Sequence, residues 1–216
     1  TPMNPTGKVF TAAELAFIAD LVARHDTYAI CDEVYEHLTF DGWRHIPLMT
    51  LPGMRERRQG FIVNVSSIGG LRSFPAIGWY NATKFAVEGL SAALWQEVEP
   101  LGIRVMVVEP SGFRTDWAGR SAHESAVQIA DYAQTAGRGR QGVRAVSGHQ
   151  AGDPVRAIQA IIKAVEGPSP PHHLLLGNDA YDGALATLAE LRANFVAWEA
   201  VSRGADFPAD QSGKAA

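Results

Sequence analysis

The chain has 216 residues, 46% hydrophobic and 19% charged, which is enough for one good core or two modest ones. A formal net charge of −4 and a pI near 6.0 leave no surplus of cations to neutralise a phosphate backbone, which argues against a nucleic-acid partner. One cysteine, Cys31, excludes an internal disulfide framework and a multi-thiolate zinc site, and no apolar run approaches the roughly 20 residues a bilayer needs, so a cytoplasmic protein without a membrane segment is expected.

The first helical period runs from Thr11 to about His25, with Leu15, Ile18, Ala19 and Val22 on one face and "TAAE" as a capping box. "TYAICDEVY" follows as a short apolar run of strand length, and the turn-rich, charged stretch up to Gly60 reads as a connection. "GFIVNVSS" is a second buried strand, "WYNATKFAVEGLSAALWQEVEP" a long helix and "IRVMVVEPSG" a third strand, unbroken in apolar character as interior parallel strands are. A polar, Gly- and Arg-rich region from Gly119 to Gly152 precedes the helix "DPVRAIQAIIKAVEG", with Asp153 as its cap and Pro154 at its first position. Strand "HHLLLG" and a final helix over about 181–203 complete the order, with Leu191, Phe195 and Trp198 at helical spacing and expected in the core. The alternation predicts an α/β fold on a parallel sheet, and residues 209–216 are expected to be a disordered tail.

Tyr80 and Lys84 stand four residues apart near the start of the long helix, so both side chains lie on one face at neighbouring heights. A cation beside a phenol favours the phenolate and lowers a pKa of about 10, bringing the tyrosine within reach of general acid–base work near neutrality. Ser67 ends the preceding strand, where its hydroxyl can hold a carbonyl oxygen beside Tyr80. Singly, a tyrosine at a helix start is a packing residue and a serine after a strand a turn residue. The combination of "NVSS", "YNATK" and "EPSGFRT", each at the end or start of its own element, is what points to chemistry.

From about Gly60 to Pro208 the chain resembles the short-chain dehydrogenase/reductase family: "YNATK" matches that family's Tyr-x-x-x-Lys, and Ser67 lies at its usual spacing before the tyrosine. The resemblance implies a partial Rossmann-like parallel sheet with flanking helices and an NAD- or NADP-dependent oxidoreductase that interconverts an alcohol and a carbonyl of a small-molecule substrate. Pairing into a homo-oligomer is implied too. In that family the tyrosine exchanges a proton with the substrate, the serine orients it and the lysine also binds the nicotinamide ribose, roles that fall here on Tyr80, Ser67 and Lys84. Pro110, Gly112 and Thr115 would lie against the nicotinamide, Thr115 near its carboxamide; the family's Pro-Gly is here spread over Pro110-Ser111-Gly112. No glycine-rich strand-to-helix turn for a pyrophosphate occurs before Gly60, and Asn64, inside a strand, does not replace the family's catalytic asparagine.

The first 58 residues resemble a different family, the class I/II, fold-type I aminotransferases that use pyridoxal phosphate (PLP). "NPTGKVF" matches its Asn-Pro-x-Gly and "CDEVYEHLTFDG" its cofactor strand. Carried over by position, Asn4 and Tyr35 would bond the pyridoxal oxygen and Asp32 would pair with the pyridinium nitrogen. The lysine that would hold PLP has no counterpart, because none occurs between Lys8 and Lys84. The expected division is therefore 1–58, an aminotransferase-like helix–strand fragment; 59–208, a dehydrogenase-like catalytic part without the glycine-rich start; and 209–216. An open parallel edge beside "FIVNVSS" would be an aggregation site, and "YAICDEV" is expected to cover it.

Other features carry less. His172 and His173 point to opposite strand faces and do not chelate as a pair, and no metal is expected. The sequon at Asn81 is assigned no glycan. Arg138, Arg140 and Arg144 form either a phosphate contact or a solvated loop, and Trp117 begins a segment that would cover substrate. Three readings stay open: a short-chain oxidoreductase, a PLP-dependent aminotransferase, and a non-catalytic hybrid chain.

Overall fold

The computed structural model describes residues 10–25, 30–31, 52–119, 122 and 124–207. Asn4, Asp32, Tyr35 and the tail beyond Pro208 lie outside them. The elements are α1 (Ala12–Arg24), β1 (Ile30–Cys31), α2 (Pro52–Arg57), β2 (Gly60–Val65), α3 (Gly78–Val98), β3 (Ile103–Pro110), α4 (Arg138–Ala145), α5 (Pro154–Glu166), β4 (His173–Leu176), α6 (Asn178–Ala197) and α7 (Glu199–Arg203). All described strands join one parallel sheet in the order β1-β2-β3-β4.

Ile30 pairs with Val63 and Cys31 with Asn64, so the apolar run of the first part does cover the edge of β2. The pairing places β2 inside the sheet at Val63 and Asn64, with the short β1 as the edge strand. The pleat then sends alternate residues of β2 and β3 to opposite faces. Val63, Met106 and Val108 face Ile161 and Val165 of α5, while Ile62 and Val105 face Leu94 of α3. The result is three layers, with α3 on one side of the sheet and α5 on the other.

Helix starts follow the capping signals. Thr11 and Glu14 exchange bonds across the first turn of α1, with Glu14 N donating to Thr11 Oγ1 at 3.2 Å and Thr11 N donating to Glu14 Oε2 at 2.8 Å. Asp153 accepts from Val155 N at 2.9 Å ahead of Pro154, the first residue of α5.

Two stretches differ from the sequence expectation. The connection before Gly60 ends in α2, whose Met54 packs against the cluster of Ile62, Leu94, Ile103 and Val105. The region 119–152 holds a 3₁₀ turn at Ala130–Tyr132, a π turn at Ala133–Gly137 and then α4. Its Gly- and Arg-rich composition hides this, because the segment is tied by arginine side chains rather than by an apolar stripe. A third expectation is corrected: Leu191, Phe195 and Trp198 are exposed, Phe195 by 66%. Among the described residues the N-terminal part of α6 meets the body, where Ala180, Gly183 and Ala184 bury against Ile68 and Leu175.

Candidate active site

The C-terminal ends of β2 and β3 bring the predicted site residues together. Pairing runs one residue past β2, with Ser66 N donating to the Val108 carbonyl at 2.8 Å, and the chain then turns through the 3₁₀ segment Ile68–Gly70. Ser67 starts that turn. Its hydroxyl accepts from Gly69 N at 3.0 Å and donates to the Pro110 carbonyl at 3.4 Å, which ties the end of β2 to the end of β3.

α3 brings Tyr80 and Lys84 to the same place. Lys84 is 4% exposed, donates to the Val65 carbonyl at 2.9 Å, and holds its ammonium 5.8 Å from the Tyr80 ring centroid. A buried ammonium beside a phenol is the arrangement that favours phenolate. The indole of Trp117 lies across the other ring contact, with centroids 5.1 Å apart. Gly69 sits between the two hydroxyl-bearing residues: a Cβ placed on it would lie 3.0 Å from Tyr80 Cε1 and 3.4 Å from Ser67 Oγ. In the sequence Gly69 and Gly70 are a glycine pair in the loop after Ser67, but the close approach of Gly69 to Tyr80 shows only in the fold.

Pro110 to Thr115 carry the chain on from the end of β3. Ser111 N donates to the Leu176 carbonyl at 2.9 Å, and the Gly112 carbonyl accepts from Gly152 N at 3.0 Å. Thr115 turns its hydroxyl to Trp117 N at 3.4 Å and caps the turn Asp116–Ala118. Asn64 takes a structural place; its Nδ2 donates to Ser91 Oγ at 2.9 Å, a link from β2 to α3 with both residues buried.

The remaining candidates take structural places. Asn81 is buried and donates to the Phe74 carbonyl at 3.0 Å. Arg144 bonds the Glu124 carboxylate at 2.7 Å and the Gly119 and Ala122 carbonyls, and Arg140 pairs with Glu124 at 3.1 Å, so these two tie α4 to the segment that precedes it. With that segment they enclose a cavity of about 470 Å³, whose walls include Ala76, Ile77, Val127, Ile129, Tyr132 and Val143. His172 and His173 do diverge: the ring of His172 stacks on Trp95, whereas His173 Nδ1 meets Glu109 Oε1 at 2.6 Å and lies 3.8 Å from Glu88 Oε2. Burial pushes the Glu109 carboxyl up to about 7, against the opposing hydrogen bond from His173, and burial likewise raises Glu88 against Ser66, His173 and Lys84. Glu109 was legible as a lone acid in an apolar strand, but its partners come from α3 and β4, far off in sequence.

Residues 27–126 match the model of the short chain dehydrogenase family. Over 177 residues the chain is 34% identical to Oxidoreductase BOA17 of Botryotinia fuckeliana, covering 82% of this chain and 64% of that protein. A short-chain dehydrogenase of Streptomyces avermitilis superposes with a TM-score of 0.66 at 37% identity, covering 92% of this chain and 66% of that one. The chain thus spans about two thirds of the length of these two proteins. A stretch of 79 residues is 48% identical to kynurenine–oxoglutarate transaminase 3 of Mus musculus, covering 37% of this chain and 16% of that protein. Among the described residues no helix is long and apolar enough to cross a membrane. With Ser67, Tyr80 and Lys84 gathered at the strand ends, the chain is similar over most of its length to proteins of the short-chain dehydrogenase/reductase family.

Proposed function

We propose that the chain is a nicotinamide-dependent oxidoreductase that interconverts an alcohol and a carbonyl. The observation that carries this reading is the buried Lys84 ammonium held 5.8 Å from the Tyr80 ring beside the Ser67 hydroxyl, all at the C-terminal ends of parallel strands. The donor set fits a nicotinamide riboside: an ammonium and hydroxyls for the ribose, with Pro110, Gly112 and Thr115 along the ring. When bound, the reduced nicotinamide supplies the hydride. In the reducing direction Tyr80 gives its proton to the substrate oxygen, and Ser67 turns its hydroxyl from the Pro110 carbonyl to donate a hydrogen bond to that same oxygen. Lys84 stabilises the phenolate that remains, and Tyr80 regains a proton from solvent before the next turnover. NAD and NADP both remain open under this reading. The apolar walls of the cavity next to Ala76 and Ile77 support a carbonyl compound with apolar substituents.

Tyr80→Phe keeps the ring against Trp117 and removes the proton. Turnover, followed by nicotinamide absorbance with a panel of ketones and aldehydes, is expected to fall on the order of 10²–10⁴-fold while cofactor affinity changes little. Equal turnover in the two proteins would remove Tyr80 from the reaction.

The domain division at residues 58–59 belongs to the same proposal, with the first part serving as packing for the second. The transaminase match favours a second reading, PLP binding by Asn4, Asp32 and Tyr35. The sequence has no lysine between Lys8 and Lys84, the stretch where that reading needs one to hold PLP. Borohydride reduction after incubation with PLP is expected to leave no stoichiometric lysine adduct, and a single labelled lysine would revive the transaminase reading.

A further inference from the structure

We propose that Glu88, Glu109 and His173 form a divalent-cation site, best fitted to Zn²⁺, which clamps α3 to the end of β3 and the start of β4. One ligand atom from each residue lies within 4.8 Å of the others. The two histidine contacts straddle the ideal: His173 Nδ1 is 2.6 Å from Glu109 Oε1 and 3.8 Å from Glu88 Oε2, whereas ligands of a tetrahedral zinc stand about 3.3 Å apart. An ion at the centre would lengthen the first contact and shorten the second by about half an ångström or a little more each.

An independent observation points to a ligand. Glu109 is 0% exposed, and its Oε2 is sealed from solvent with no hydrogen-bond partner among the described residues. His173 reaches only Oε1, through Nδ1, and leaves the second carboxylate oxygen buried and unmet. A cation between the two carboxylates would neutralise that buried charge and would also meet Glu88, whose two oxygens are likewise buried without a hydrogen-bond partner among the described residues. One imidazole nitrogen with two carboxylates is a mixed N/O set that suits zinc better than calcium or magnesium, which prefer oxygen alone. The side chain of His173 is 53% exposed, which gives the ion a way in and leaves a fourth position for water.

The site is separate from the proposed proton chemistry but adjoins it. Glu88 is one turn past Lys84 on α3, and Glu109 immediately precedes Pro110, whose carbonyl takes the Ser67 hydroxyl. A bound ion would therefore stiffen the strand–helix junction that carries Tyr80 and Lys84. This inference does not depend on the oxidoreductase reading.

The test is titration of the chelator-treated whole chain with Co²⁺, read by the visible absorption of low-coordinate cobalt, followed by displacement with Zn²⁺. One equivalent is expected to bind, and Zn²⁺ is expected to raise the melting temperature. Glu109→Gln should weaken binding by at least about 100-fold, and His173→Phe, at a half-exposed position that the fold tolerates, should do the same. His149→Ala should leave binding unchanged. The absence of a cobalt spectrum in the folded chain, or equal affinity in the parent and His173→Phe, would overturn the assignment.

Discussion

Gly69 is wedged between the Tyr80 ring and the Ser67 hydroxyl, and a methyl group there would have to move one of them. The built Cβ lies 3.0 Å from Tyr80 Cε1 and 3.2 Å from Asn81 Oδ1, both closer than ordinary contact, and Asn81 is itself buried. Gly69→Ala is expected to reduce kcat by roughly 10–100-fold through misplacement of the phenol, with the far-ultraviolet spectrum unchanged. Unchanged kcat would mean that the phenol does not need its present position. At this scale the legible features were local ones. Tyr80 and Lys84 are one helical turn apart, so their meeting follows from the helix alone. The meeting of Glu88, Glu109 and His173 depends on the crossover and on β4 pairing, which brings Glu109 opposite Leu175 and Val107 opposite His173. No spacing in the sequence expresses that.

The crossover β2–α3–β3 is the element that builds the site, and Asn64 fastens it. Its Nδ2 donates to Ser91 Oγ at 2.9 Å in a buried position between β2 and α3. Ser91→Ala leaves that amide without its partner and is expected to cost about 1–3 kcal/mol, read as a lowered urea midpoint. An unchanged midpoint would show that Asn64 finds another acceptor. β2 and β3 were legible because apolar residues run without a break on strands buried on both faces. The helical stretch from Ala130 to Ala145 was not. It is held by Arg144 on backbone carbonyls and on Glu124, contacts between residues some twenty apart that leave no periodic trace. The outer part of α6 misled for the opposite reason: Leu191, Phe195 and Trp198 show the spacing of a buried face where no described element covers them.

In the molecule as a whole, one sheet joins two sequence characters. β1 lies in the part that resembles an aminotransferase, β2 to β4 lie in the part that resembles a dehydrogenase, and the four strands are parallel and consecutive. Family-model matching from residue 27 takes in β1, in keeping with a strand that occupies a dehydrogenase position. That fit was anticipated from edge physics, since an apolar parallel strand left open would aggregate, and any apolar run of the right length and direction can cover it. The register could not be anticipated, because backbone hydrogen bonds between parallel strands carry little side-chain identity. The proposed function requires the strand ends of this sheet to bind a nicotinamide. Titration of the chain with NADH and with NADPH, followed by tryptophan fluorescence, tests it most directly, since Trp117 lies 5.1 Å from the Tyr80 ring. Saturable quenching by one of the two, largely lost in Trp117→Phe, is expected; a flat titration with both would rule out nicotinamide binding at this site.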